Sequence, residues 1–157
     1  HQWLPEFFDA ALARPLGIEH YGMNLMPTGA GYVGGGMHMR PRDLLKFGQL
    51  YLNGGLWNSR RLVDRAWVAR STRRQQPDTL GADDGFAWHR HTLTVRGCAV
   101  PSYEASGNGG QFLVVVPSYD LVVVVTAGMY GQARAWLPIR QELVARYVVG
   151  AVIRQGC

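Results

Sequence analysis

Apolar residues recur along this chain with two different periods. In the first half the spacing is helical. Leu4, Phe7, Phe8, Ala11 and Leu12 fall at i, i+3, i+4, i+7 and i+8, which puts them on one face and predicts a helix over 3–14, stopped by Pro15 and Gly17. Residues 15–40 show no period and many glycines. A loop of that length in a compact domain usually carries function or is held by a partner. A second helix is predicted from Pro41, since proline suits the first helical position and Asp43 suits the positive end of the helix dipole. Leu44, Phe47, Gly48, Tyr51 and Leu52 form its buried face, and Asn53-Gly54-Gly55 ends it. A third helix is predicted from Asp64, a good N-cap, to a stop at Gln75-Gln76-Pro77.

Beyond residue 85 the pattern becomes strand-like. Residues 86–89, 92–96 and 103–106 read as short strands. Gln111–Val116 and 121–126 are β-branched runs joined by Pro117-Ser118-Tyr119-Asp120, an antiparallel hairpin signal. Neither run alternates, so both faces of this sheet are expected to be covered. Residues 133–153 predict a long helix that turns Leu137, Arg140, Gln141, Val144, Ala145 and Val148 inward, with Pro138 tolerated in its first turn. Helices followed by strands predict an α+β fold with an antiparallel sheet covered by helices.

Composition narrows the function classes. A 47% hydrophobic and 17% charged chain is globular rather than disordered. At 157 residues it can bury about 68–70% of its unfolded surface. No apolar run approaches the ~20 residues that span a bilayer, so no membrane span is predicted. The net charge is +5, almost wholly from arginine, because Lys46 is the only lysine. The arginines are scattered. Their densest stretch, Arg60 to Arg74, reads as the solvated face of a helix. No stripe of interleaved aromatics accompanies them, so nucleic acid is not an expected partner. Cys98 and Cys157 are too few for a disulfide scaffold and leave the compartment open. His1-Gln2-Trp3 does not begin a signal peptide, and with no initiator Met a processed or truncated chain is expected.

Most candidate chemistry has a structural explanation. Gly29-Ala30-Gly31-Tyr32-Val33-Gly34 matches GxGxxG, but Asn24 to Thr28 is no strand, so no cofactor is expected. His89 and His91 share a strand face that could suit a metal. A third ligand would have to be His20, His38, Asp83 or Asp84, none at a telling spacing, and an exposed polar strand with no metal is the expectation. Trp57, Trp67 and Trp136 are core candidates, Cys98 a small apolar filler, and Trp88 and Tyr103 candidates for lining a pocket. Residues 103–111, Tyr-Glu-Ala-Ser-Gly-Asn-Gly-Gly-Gln, form a glycine-rich turn between strands. Such a turn lets backbone approach a ligand, and its N–H groups can meet a developing negative charge.

Three strings together resemble the serine β-lactamase and penicillin-binding-protein superfamily. The string from Gly34-Gly35-Gly36 through Met37-His38-Met39-Arg40-Pro41-Arg42-Asp43-Leu44 to Asn53-Gly54-Gly55 is similar to its glycine turn and following helix. Arg14-Pro15-Leu16-Gly17-Ile18 is similar to a helix end in that family. Ser106-Gly107-Asn108-Gly109-Gly110-Gln111 and the two strands after it resemble the third active-site motif. The likeness is to the class C-like branch, which includes esterases, D-aminopeptidases and 6-aminohexanoate-dimer hydrolases.

The resemblance implies a β-lactamase/transpeptidase-like fold, incomplete at its N-terminal side. Residues 1–80 would be the end of a helical subdomain and its connecting loops. Residues 81–157 would be the sheet with its C-terminal helix, the two making one partial domain. It implies a bacterial, periplasmic or secreted hydrolase of a small ester or amide, acting through an acyl-serine, without cofactor or metal. The backbone N–H of Asn108 would be an oxyanion donor. Ser106, Gly107, Gly109, Gly110, Gln111 and Tyr103 would bind substrate. Ser-x-x-Lys does not occur here, because residue 43, three before the only lysine, is Asp. The tyrosine motif is expected to be missing too, and Ala105-Ser106-Gly107 replaces Lys-Thr-Gly, which suits esterases better than penicillinases. The missing N-terminal part of the fold would then be a partner, and without it one sheet face should lie open. The alternative is a non-catalytic binding or regulatory module of the same fold.

Overall fold

The computed structural model describes residues 2–32, 34–77 and 83–153. The chain opens with a helix in three pieces: α1 (Leu4–Phe8), a π-helical segment (Asp9–Ala13) and α2 (Arg14–Leu16). Gly17 ends it in the left-handed region at φ 63°, where a Cβ would be strained. The N–H of Ile18 reaches the carbonyl of Ala13 and that of Gly17 the carbonyl of Arg14, the paired bonds of a Schellman cap. The segment read as a featureless loop holds a small hairpin, β1 (Tyr21–Met23) with β2 (Met37–Met39). Trp3 fastens its tip by donating Nε1–H to the Gly29 carbonyl at 2.8 Å.

Helix α3 (Pro41–Leu52) starts and stops as the sequence predicts. A short hairpin follows, β3 (Leu56–Trp57) with β4 (Arg60–Arg61). Helix α4 (Arg65–Thr72) is N-capped by Asp64, whose Oδ1 accepts the N–H groups of Ala66 and Trp67 at 2.6 and 3.2 Å. Two expectations change here. Arg60 and Arg61 lie on a strand rather than a helix face, and α4 stops at Thr72 because Gln76 already pairs in a strand.

The main sheet has six antiparallel strands in the order β10-β9-β8-β7-β6-β5. They are β5 (Gln76–Pro77), β6 (Asp83–Asp84), β7 (His89–Val95), β8 (Cys98–Gly107), β9 (Gln111–Val116) and β10 (Leu121–Val125). Two strands expected at 86–89 and 92–96 are one strand, β7. It turns into β8 through Arg96 and Gly97, both at positive φ, which sets Val95 opposite Cys98. The last helical region is also broken: α5 (Ala133–Trp136), a π-helical segment (Arg140–Val149) and α6 (Gly150–Val152).

β9 is buried on both sides, as its unbroken apolar run requires. Phe112, Val114 and Val116 pack with Val144, Ala145 and Val149 of the C-terminal helix. Leu113 and Val115 pack with Trp88 and the α3 residues Leu44, Phe47 and Tyr51. A third cluster joins Phe8, Ala13, Leu16 and Ile18 to Leu50. Both faces of β9 are therefore covered, whereas the face of β7 and β8 turned away from the C-terminal helix is exposed at Thr92, Thr94, Ala99 and Pro101, so the expected open face is present over that part of the sheet. Among the described residues the outer edges of β10 and β5 have no strand neighbour. Trp67 is 46% exposed and stacks on Phe86, so it is no core residue, whereas Trp88 is buried under α3. Cys98 is buried and disulfide-bonded, which replaces the picture of a simple apolar filler.

Candidate functional site

The strand register builds the site. Gly107 and Gln111 are paired across β8 and β9, leaving a loop of Asn108, Gly109 and Gly110 at the end of the sheet. The Gly110 N–H closes the turn on the Gly107 carbonyl at 3.2 Å. Gly109 and Gly110 have φ of 127° and 91°, values that side chains rarely allow. A Cβ on Gly110 would sit 2.9 Å from the Trp136 side chain, so the turn also needs glycine for space.

This turn faces the second glycine run across a cavity of about 560 Å³. On one side stand Gly107, Asn108, Gln111 and Tyr130; on the other Asn24, Tyr32, Gly34, Gly35, Gly36 and His38. Asn108 is exposed, and its backbone N–H meets no backbone carbonyl among the described residues. None of the described lining residues is a carboxylate, an arginine or a lysine. A smaller cleft of about 170 Å³ adjoins it, lined by Leu44, Ala105, Ser106, Gly107 and Gln111.

The sequence-predicted residues thus separate. Gly107, Asn108 and Gln111 reach the larger cavity, and Ser106 reaches the smaller cleft. Gly109 and Gly110 lie buried behind the turn and shape it. Tyr103 lines neither space. Its ring meets Trp88 edge to face at 5.2 Å under α3, and burial, with Tyr51 nearby, pushes its phenol up to about 12. It is held protonated. Asn24, Tyr32, His38 and Tyr130 were missed, and only the length of the 15–40 segment signalled the first three.

The lone lysine is structural. Lys46 Nζ donates to the Gly17 carbonyl at 2.8 Å and pairs with Asp43 at 2.7 Å, tying α3 to the end of α2. The expectation of no Tyr-x-Asn string needs correction, since Tyr51-Leu52-Asn53 is one. It ends α3. Tyr51 packs on Trp88 with ring centres 4.7 Å apart, and Asn53 accepts from Gln49 at 3.1 Å, so the string serves packing and capping away from the cavity. Glu104 is fully buried and takes both arms of Arg140, at 2.8 and 2.6 Å, with His91 Nε2 3.6 Å away. His91 therefore stands beside an internal ion pair. Among the described residues no three His, Cys, Asp or Glu gather as a metal site, and no helix is long and apolar enough to cross a membrane.

The sequence profile of the Beta-lactamase family matches residues 2–144. The chain belongs to the Beta-lactamase family. An uncharacterised protein of Alkalihalophilus pseudofirmus is 28% identical over 104 residues, which cover 60% of this chain and 31% of that protein. Among solved structures, a Bacillus anthracis protein assigned as a 6-aminohexanoate-dimer hydrolase superposes with a TM-score of 0.67 at 20% identity, over 82% of this chain and 33% of its own. A Bacteroides dorei protein assigned as a β-lactamase gives 0.64 at 18% identity, over 82% and 44%. These two likenesses establish the β-lactamase-like fold. The chain spans about a third of the first relatives it matches, and it is a hydrolase-like domain of the family.

Proposed function

We propose that this chain is the C-terminal part of an acyl-serine hydrolase acting on neutral esters or amides. The observation that carries the reading is exposed Asn108, whose N–H has no backbone carbonyl partner among the described residues, on the lip of the cavity between the two glycine runs. Attack by a serine on an acyl carbon puts charge on the carbonyl oxygen, and a fixed backbone N–H stabilises that charge. A cavity lining without arginine or lysine among the described residues suits a substrate without a carboxylate there. The serine, lysine and tyrosine that run the chemistry would come from residues outside this chain, since Ser-x-x-Lys is absent from it. The unpaired edge of β10 supports such an upstream partner. So does an apolar cleft of about 550 Å³ lined by Phe7, Leu12, Phe47, Leu62 and Trp67. The disulfide at Cys98 supports an exported protein.

Asn108→Pro in the native gene product tests the reading when set against Asn108→Ala, because both lose the side chain that accepts from Gly131 and only proline also loses the N–H. The proline variant should lose about 10²–10³ in acylation rate, the usual effect of one oxyanion donor. Unchanged turnover in a folded variant would remove Asn108 from the mechanism. The absence of Ser-x-x-Lys keeps one alternative, a binding module that uses the cavity without catalysis. A gene product that binds esters and never turns them over would favour it.

A further inference from the structure

We infer that Gln111 and Asn108 are positioning residues, whose side chains fasten the glycine turn to the loop after β10. The inference rests on the hydrolase reading above. Three bonds join the turn to residues 127–131. Gln111 Nε2–H donates to the Ala127 carbonyl. Asn108 Oδ1 accepts the Gly131 N–H at 3.1 Å. The Gly109 carbonyl accepts the Met129 N–H at 2.9 Å. The Gln111 amide also lies against the turn itself. A Cβ on Gly107 would come within 2.8 Å of Oε1, and one on Gly109 within 3.0 Å of Nε2.

This geometry reassigns Gln111. One of its two amide N–H donors is spent on Ala127, so the amide fixes backbone at the edge of the cavity. A turn of three residues, two of them glycines, has much conformational freedom to lose. Holding a donor in place before the reaction is what makes it effective in the transition state. The same ties set the loop that carries Tyr130 onto the cavity lip. A positioning role predicts loss in kcat with KM preserved, whereas a substrate contact predicts the reverse.

The experiment uses the native gene product with p-nitrophenyl acetate as probe, and the variants Gln111→Met and Asn108→Ala. The second keeps its backbone N–H and alters an exposed side chain, so it tests the clamp even if Gln111→Met does not fold. Both variants should lower kcat at least tenfold with KM within threefold of the parent. Both should also speed amide hydrogen exchange at Met129 and Gly131 at least tenfold. A raised KM with kcat intact, or unchanged exchange in both variants, would overturn the inference. If the parent never hydrolyses the probe, the hydrolase reading fails and takes the catalytic role of the clamp with it. The exchange measurement then still shows separately whether the side chains hold the turn.

Discussion

Glu104 shows how a buried charge is made tolerable. It lies on the β8 face that meets the C-terminal helix, and Arg140 supplies two donors in the fork geometry that matches a carboxylate. Removing one member of such a pair leaves the other charged and dry. Arg140→Met should therefore destabilise the fold by about 3–5 kcal/mol, and the double variant Glu104→Met/Arg140→Met should recover much of the loss. Urea unfolding of both checks this; a single-variant loss below about 1 kcal/mol would contradict the pairing. Tyr103 gives a pH prediction. Its phenol is favoured protonated in the fold, by burial first and Tyr51 second, up to about 12 against an ordinary value of 10.0. Its contribution to stability is thus complete below pH 10 and is lost as the pH rises toward 12. A phenolate absorbance titration of the parent minus Tyr103→Phe should show no Tyr103 signal below about pH 11; a difference midpoint near 10 would refute it. Neither feature was legible in the sequence. Nothing in the string Tyr103-Glu104 says which side chain meets the helix and which meets α3 until the register of β8 is known.

The elements were legible where local chemistry decides them. Pro41, Asp43 and Asn53-Gly54-Gly55 bound α3 because first-turn and capping preferences act within a few residues. β9 ends where its apolar run ends. The inward face of the C-terminal helix was legible in part: Val144 and Ala145 are buried and Arg140 and Val148 partly so, while π-helical backbone with i to i+5 bonds adds Val149. Its buried residues include Val144 and Val149, five apart, while Leu137 is 46% exposed. The β7–β8 hairpin was missed because Arg96 adopts a positive φ that its residue type does not announce. Gly48 carries the prediction at this scale. A Cβ there would lie 2.4 Å from Val122 Cγ1 and 2.8 Å from Leu113 Cδ1, so α3 approaches the sheet too closely for alanine. Gly48→Ala gains about 1 kcal/mol in helix propensity yet should still destabilise the protein, because overpacking costs about 1–3 kcal/mol. A raised thermal midpoint would show that the contact between α3 and β10 yields easily.

At the scale of the molecule, the candidate site lies between two glycine runs about 70 residues apart in the sequence, at the end of the sheet. The second run was recognisable as a glycine-rich turn between two strands. That the first run faces it was not, because the pairing depends on the β1–β2 hairpin and on how α3 packs. The family was legible from three strings read in order, and the profile match over residues 2–144 bears that out. The apolar cleft beside Phe7 and Trp67 and the free edge of β10 should make this chain alone bind the dye ANS or self-associate. A dye-silent, monodisperse monomer would mean that these surfaces need no cover. The central claim is that this domain completes an acyl-serine hydrolase. Intact mass of the native gene product, with and without a fluorophosphonate, tests it most directly. The account predicts a polypeptide much longer than 157 residues that gains one adduct on a serine outside this sequence. A product of this chain alone that gains no adduct would contradict it.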